Sequence, residues 1–123
     1  MGKRPLDVST PMTYREKTIV FVEMPVFTEA LLKHLPDHEY REVQTLLAAD
    51  PATGDLIPGC KGLRKLRWKA EGRGKRRGIR ILYYWAVKQN KILLLDLFAK
   101  NESDDLTPKQ YKMLTSYVRK EYP

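Results

Sequence analysis

A segment of twenty residues, KGLRKLRWKAEGRGKRRGIR from Lys61 to Arg80, constrains this chain more than any other feature of its sequence. It holds ten of the 23 basic residues and one of the 15 acidic residues, so its formal charge is +9. The rest of the chain carries −1, which completes the net charge of +8. A basic patch this concentrated is typical of a surface that binds a polyanion, and nucleic acid is the leading candidate.

Apolar residues alternate with these charges, which favours a binding surface on a β-hairpin over a hairpin that is merely charged and solvated. On the first strand, Leu66 and Trp68 fall on one face. Lys65, Arg67 and Lys69 fall on the other face. The glycines at positions 72, 74 and 78 then predict a long hairpin tip.

Three further runs predict the other strands. The strand that returns from the hairpin places Arg80 and Tyr84 on the same side. The run ILLLDLFA, from Ile92 to Ala99, is apolar on both faces and predicts the central strand of the sheet. A short apolar run at Ile19–Val22 predicts a strand near the beginning of the chain.

Apolar spacing predicts two helices before the hairpin, over Val26–Leu35 and from Asp37 to about Ala49. A third helix is expected after the sheet, because Thr107, Pro108 and Gln110 suit the N-cap, the first helical position and the capping-box partner. The apolar stripe of this last helix consists of Tyr111, Leu114 and Val118.

Together these elements predict an α+β fold with the order β-α-α-β-β-β-α and a mainly antiparallel four-stranded sheet. The two N-terminal helices and the C-terminal helix are expected against one face, which leaves the opposite face free to carry charge. Residues 1–17 mix Pro, Ser, Thr and charged residues without a period, so we expect a flexible tail there. Residues 18–123 then form a single domain.

The composition favours a cytoplasmic protein. The single cysteine, Cys60, excludes an internal disulfide. No apolar run approaches the roughly 20 residues that a membrane helix needs, so no membrane partner is expected. His34 and His38 lie at the junction of the first two helices without further metal ligands at suitable spacing, and we expect neither a metal nor another cofactor.

If the strand registers are correct, one face of the sheet collects six candidate catalytic residues, which are Lys65, Arg67, Lys69, Arg80, Tyr84 and Lys100. An RNA strand on that face would be held by phosphate contacts and by stacking on aromatic rings, and binding would weaken with salt. The hairpin adds five RNA-binding candidates, which are Arg64, Arg73, Lys75, Arg76 and Arg77.

The same residue types suit RNA cleavage. Attack of a 2′-hydroxyl on its own phosphodiester needs a base, stabilisation of charge on the phosphate, and an acid for the leaving 5′-oxygen. Arginine suits the second role because its fixed fork of donors matches phosphate oxygens. A lysine serves as the base only if its pKa falls, which crowding by like charges favours, and a tyrosine suits either proton-transfer role. The residues alone leave binding without cleavage as an open alternative.

The stretch from Gly54 to Gln110 resembles the HigB-type branch of the RelE/ParE toxin superfamily. The likeness is carried by a basic strand, a glycine-rich basic hairpin, an RILYY strand and an FAKNESDDL segment. These pieces lie at Gly62–Arg67, Gly72–Gly78, Arg80–Tyr84 and Phe98–Leu106. The stretch as a whole covers about half of the chain, and the combination of these pieces is more specific than any one of them.

The resemblance implies the toxin of a type II toxin–antitoxin pair. Such a protein enters the ribosomal A site and cuts the mRNA there without a metal, which inhibits translation. We therefore expect an endoribonuclease of the mRNA-interferase class, with mRNA and the ribosome as partners. The resemblance also implies a cognate antitoxin, often a helix-turn-helix protein that binds its own operator.

Carried over by position, Arg80 matches the family arginine assigned to the transition-state phosphate. Lys65 and Arg67 match the basic pair of the second strand, and Arg67 with Lys69 is an alternative register. Lys100 matches a basic residue after the fourth strand.

The chain departs from compact family members at two positions. Asn101 stands where they carry an arginine, and Thr107 stands where they carry a tyrosine. The general base and the general acid therefore stay unassigned among four candidates, which are Lys65, Lys69, Lys100 and Tyr84.

Two other functions compete with this one. A ParE-like toxin would block a topoisomerase through protein contacts and would cut no RNA, although the density of Arg and Lys on the sheet argues against it. A non-catalytic RNA- or DNA-binding module would use the basic face for affinity alone.

Overall fold

The computed structural model describes residues 9–14, 17–69, 78–100 and 105–123. Four of the predicted RNA-binding residues at the hairpin tip lie outside this part of the chain, and so does Asn101. The four are Arg73, Lys75, Arg76 and Arg77.

Six strands, three α-helices and one short 3-10 helix lie within the described residues. In chain order they are β1 Ser9–Tyr14, β2 Lys17–Glu23, α1 Pro25–His34, α2 Asp37–Ala49, β3 Asp55–Leu56, β4 Leu63–Lys69, β5 Gly78–Ala86, the 3-10 helix Val87–Gln89, β6 Lys91–Ala99 and α3 Pro108–Glu121. The fold is α+β, as predicted. None of the described helices is long and apolar enough to cross a membrane.

The strands form one mixed sheet in the order β1-β2-β6-β5-β4-β3. The β2–β6 pair is parallel and the other neighbours are antiparallel, so the sheet is mainly antiparallel, as predicted. Strand β6 lies between β2 and β5, and its Ile92, Leu93, Leu94 and Leu95 are all buried. Its apolar sequence therefore correctly indicated an interior strand covered on both faces.

The predicted count of four strands was too low, because β1 and β3 extend the sheet at its two edges. Strand β1 pairs along β2 from Ser9 opposite Val22 to Tyr14 opposite Lys17. The prediction of a flexible tail over residues 1–17 is therefore wrong for the six residues of β1 and for Lys17. The irregular composition of β1 gives no strand signal in the sequence. The strand forms through backbone pairing with the free edge of β2, which does not require a particular side-chain pattern.

Two apolar layers pack on opposite faces of the sheet. Helices α1 and α2 cover the first face, where Phe27, Leu31 and Val43 join strand residues such as Phe21 and Ile81. This confirms the predicted position of the two N-terminal helices.

Helix α3 packs on the second face, which corrects the expectation that all helices share one face and leave the other free. Val118 is buried there with Leu63, Leu82 and Leu93, and Leu114 packs at the edge of this cluster. The helix has an apolar stripe of its own, and a stripe of this kind needs an apolar partner. The leucines that point away from α1 and α2 provide that partner.

Local signals set the beginning of α3 correctly. The Thr107 side chain accepts from the Gln110 amide, and the Gln110 side chain accepts from the Thr107 amide, which completes the predicted capping box with Pro108 in the first turn. The beginning of α2 differs by one residue, since Pro36 is the N-cap and Asp37 lies inside the helix.

Candidate nucleic-acid interface

The second face of the sheet carries the predicted basic residues in rows across β4, β5 and β6. Between β4 and β5, the cross-strand pairs on this face are Lys69 with Gly78, Arg67 with Arg80, Lys65 with Leu82, and Leu63 with Tyr84. On the other side of β5, Arg80 pairs with Phe98 of β6. Lys100 follows β6, and its amide donates to the Gly78 carbonyl at 2.9 Å. We name the face bearing Lys65, Arg67, Lys69, Arg80 and Lys100 the basic face.

Arg67 and Arg80 are direct cross-strand partners on this face. Side chains in such a pair have Cβ atoms about 4.5–5.5 Å apart, and like charges at this spacing destabilise a sheet. Stability alone therefore does not explain the pair. Two adjacent guanidinium groups match the oxygens of one phosphate, because each presents a fixed fork of donors.

Gly78 creates the space in which the Arg80 guanidinium lies. A Cβ atom added to Gly78 would be 2.6 Å from one Arg80 terminal nitrogen, and the three atoms nearest to it all belong to the Arg80 guanidinium. A side chain at position 78 would therefore displace the Arg80 guanidinium from its present position.

Helix α3 brings two residues to the basic face that the sequence analysis did not assign to the site. The Lys65 ammonium lies 3.1 Å from Asp105 Oδ1 and 5.6 Å from the centre of the Tyr111 ring. The Tyr111 hydroxyl donates a short hydrogen bond to the same Asp105 oxygen. The Leu106 amide also donates to that oxygen, at 2.8 Å. A cation, a carboxylate and a phenol thus meet at the end of the exposed part of the basic face.

These contacts fix the protonation states of the three groups. Burial lowers the pKa of Lys65, but its contacts with Tyr111 and Asp105 outweigh burial and raise that pKa overall. Burial raises the pKa of Tyr111, and the adjacent carboxylate raises it further. For Asp105, burial acts upward, but the donors from Tyr111, Lys65 and Leu106 lower the pKa overall. Lys65 is therefore a cation near neutral pH, which argues against the hypothesis that it serves as the base.

A faint signal for Asp105 and Tyr111 was present in the sequence. The capping box at Thr107 fixes Asp105 two residues before the N-cap and Tyr111 one turn into the helix. The apolar stripe predicted that Tyr111 faces the sheet. Contact with Lys65 depends on which face α3 covers, and sequence spacing does not determine that choice.

The structure separates Arg64 from the other basic residues of β4. Strand alternation places it on the opposite face from Lys65. Its guanidinium donates to the backbone carbonyls of Gly54 at 2.7 Å and Ala52 at 3.1 Å. Arg64 therefore anchors the loop after α2 on the opposite face from Lys65, and its RNA-binding role stays a prediction.

Tyr84 shares the basic face with Arg80 but lies four residues, or about 13 Å, along the strand. Its ring packs near Tyr122 of the C-terminal segment, with centroids 6.3 Å apart, and lies against Gly62. The structure thus gives Tyr84 a packing contact with the C-terminal segment, and its catalytic role stays a prediction. The tyrosine that reaches Lys65 is Tyr111.

One carboxylate, Asp96, lies beside Leu82 at a bulge in β6. The Leu97 amide donates to its Oδ1 at 2.8 Å, and burial raises its pKa despite that bond. Because the ionised form of Asp96 is disfavoured in the folded state, this group lowers the free energy of unfolding as the pH rises. The loss begins near the pKa of an unfolded aspartate and is complete above the raised pKa of the folded protein.

We therefore expect Asp96→Asn to raise the melting temperature at pH 7, since the amide keeps an oxygen for the Leu97 amide and removes the buried charge. The gain should shrink as pH falls below about 4, where both side chains are neutral. Thermal unfolding at several pH values measures this, with the exposed Asp55→Asn as the control. A lower melting temperature for Asp96→Asn at pH 7 would contradict this assignment.

Within the described ranges, no group of three or more His, Cys, Asp or Glu side chains is arranged to hold a metal ion. Comparison with protein-family models gives no match for this chain. The resemblance to RelE/ParE toxins therefore rests on the motif residues themselves.

Proposed function

We propose that this protein is a ribosome-dependent mRNA endonuclease, the toxin of a type II toxin–antitoxin pair. The observation that carries the proposal is the convergence of Arg67, Arg80 and Lys65 on one sheet face, beside the Asp105–Tyr111 pair. This arrangement supplies positive charge for a phosphate and two groups able to accept and donate a proton. Placing like charges side by side costs stability, which a phosphodiester between them would offset.

In the proposed reaction, the 2′-oxygen forms a bond to phosphorus and the bond from phosphorus to the 5′-oxygen breaks. Arg80 and Arg67 bind the phosphate oxygens as negative charge grows in the transition state. Lys65 adds a fixed positive charge. The Asp105 carboxylate accepts the proton of the 2′-hydroxyl, and the Tyr111 phenol donates its proton to the leaving 5′-oxygen. The Asp105–Tyr111 hydrogen bond then returns the proton from the carboxyl to the phenolate.

The order of elements also supports a RelE-like topology. The predicted β-α-α-β-β-β-α order corresponds to β2, α1, α2, β4, β5, β6 and α3, with β1 and β3 added at the sheet edges. On this reading Tyr111 supplies the phenol that the family carries where Thr107 stands. The ribosome, the mRNA and an operator-binding antitoxin follow as proposed partners in the cytoplasm.

Primer extension on translating ribosomes tests the proposal against its alternatives. We expect the purified protein to produce new mRNA ends at A-site codons. A topoisomerase-directed toxin would leave the mRNA intact and stop DNA replication, and a plain binding module would retard RNA without new ends. The Lys33→Ala variant, changed on exposed α1 behind the sheet, should cut like the wild type.

The space at Gly78 offers a separate test of the Arg80 position. We expect Gly78→Ala to displace the guanidinium and to lower mRNA cleavage about tenfold. This loss is smaller than the roughly 10²–10³-fold loss expected when a transition-state donor is removed altogether. The melting temperature should stay unchanged or rise, because alanine suits a strand better than glycine. In the double variant with Arg80→Ala, the alanine at position 78 should cause no further loss of activity. Additive losses would show that the two positions act independently.

A further inference from the structure

The solvent face of α3 carries four exposed cations on one side, and neither the basic face nor the proposed chemistry uses them. Counted from the first of these cations, the others follow after three, ten and eleven residues, which places all four within a sector of about 100° around the helix axis. Ser116 lies among them, and the helix's one acid, Glu121, lies outside the sector. We name this set the α3 stripe, which consists of Lys109, Lys112, Arg119 and Lys120.

Helix stability does not account for the N-terminal half of the stripe. A helix carries a partial positive charge at its N-terminus, where Asp and Glu stabilise it and Lys does not. The first turn of α3 contains no acidic residue, and Lys109 and Lys112 lie in its first two turns. Arg119 and Lys120 occupy the last turn, where cations are favourable. The dipole disfavours Lys109 in the first turn and gives no reason for Lys112 in the second, so helix stability explains neither charge, which points to a ligand.

The stripe and the candidate site share helix α3. Tyr111 lies between Lys109 and Lys112 in the chain, and its inward ring contacts Lys65 on the basic face. Helix α3 therefore presents phenol chemistry on its inner side and a row of cations on its outer side.

We propose that the α3 stripe binds the phosphate backbone of double-helical RNA outside the strand that the basic face holds. Lys109 and Lys120 are eleven residues apart, so the stripe is a rigid row about 16 Å long. It contains no aromatic ring, and Tyr117 lies on a different flank of the helix. Proteins that grip single strands combine cations with stacking rings, whereas duplex RNA is bound largely through its backbone and shape. The inference rests on the proposed function, in which folded ribosomal RNA surrounds the cleaved mRNA.

The test uses fluorescence anisotropy with a 20-base-pair RNA duplex and with a 20-nucleotide unstructured RNA, over a range of salt concentrations. The variant is Lys109→Glu with Lys112→Glu. The matched control is Lys33→Glu with Lys88→Glu, which changes the net charge equally at exposed positions away from α3.

We expect the stripe variant to bind the duplex about tenfold more weakly than the control, with a salt slope smaller by roughly 1.5. Single-strand affinity should change less. Its melting temperature should stay equal or rise, because glutamate near a helix N-terminus is favourable, so misfolding would not imitate the effect.

Two results would overturn the inference: equal duplex affinities for variant and control, or a larger loss on the single strand. A ribosome-dependent cleavage assay distinguishes failure of this inference from failure of the proposed function. There, the stripe variant should raise KM and keep kcat, whereas a wild-type protein that cuts no mRNA would remove both proposals.

Discussion

Replacing Arg80 with alanine is expected to lower ribosome-dependent mRNA cleavage by about 10²–10³-fold, the usual cost of removing one preorganised donor to a transition-state charge. Arg80 is half-buried and paired across the strands with Arg67, and its guanidinium is seated in the space left by Gly78. These contacts fix its donors before substrate arrives. Quantitative primer extension measures the loss, and growth arrest in cells should disappear with it.

The melting temperature separates this effect from unfolding. Removing one member of a like-charged cross-strand pair relieves repulsion, so Arg80→Ala should melt no lower than the wild type. Arg80→Lys keeps the charge but loses the fork of donors, and we expect intermediate activity. Full cleavage by a folded Arg80→Ala protein would remove the phosphate-binding role and the mechanism with it.

The second large effect is expected for Tyr111→Phe, which deletes the hydroxyl and keeps the ring beside Lys65. Loss of a general acid lowers the rate by about 10²–10⁴-fold. We expect a fall in kcat with little change in KM, because the arginines that bind the phosphate are untouched. Single-turnover cleavage at saturating ribosome concentration measures this step directly.

The pH dependence distinguishes the proposed pair from a lysine base. The pKa of Asp105 lies below its usual range, and the pKa values of Tyr111 and Lys65 lie above theirs. Wild-type cleavage should therefore be flat from about pH 5 to 9. It should fall at lower pH, where Asp105 is protonated. A lysine base would instead give a rate that rises with pH across this window.

Asp105→Asn is the companion to Tyr111→Phe, since it removes the proton acceptor and keeps the shape of the side chain. It should lose activity to a similar extent, and the double variant should be little worse than either single variant, because the two groups act as one unit. A wild-type rate for Tyr111→Phe would assign this tyrosine to packing alone.

Local sequence patterns determined four of the six described strands and the direction of the side chains along the basic hairpin. Alternation placed Lys65, Arg67, Lys69 and Arg80 on one side, and the pairing register agrees, because side-chain direction in a strand follows directly from residue parity. The capping box fixed the beginning of α3 for an equally local reason.

The tertiary structure alone decided which of these residues meet. Helix α3 covers the end of the sheet face that bears Leu63, so Tyr84 packs against the C-terminal segment and Asp105 and Tyr111 reach Lys65. Arg64 is tied to a distant loop, and β1 forms because β2 offers a free edge. Each of these outcomes depends on contacts between different elements of the fold. Such contacts follow from how the apolar faces are covered, which the period of a single segment does not specify.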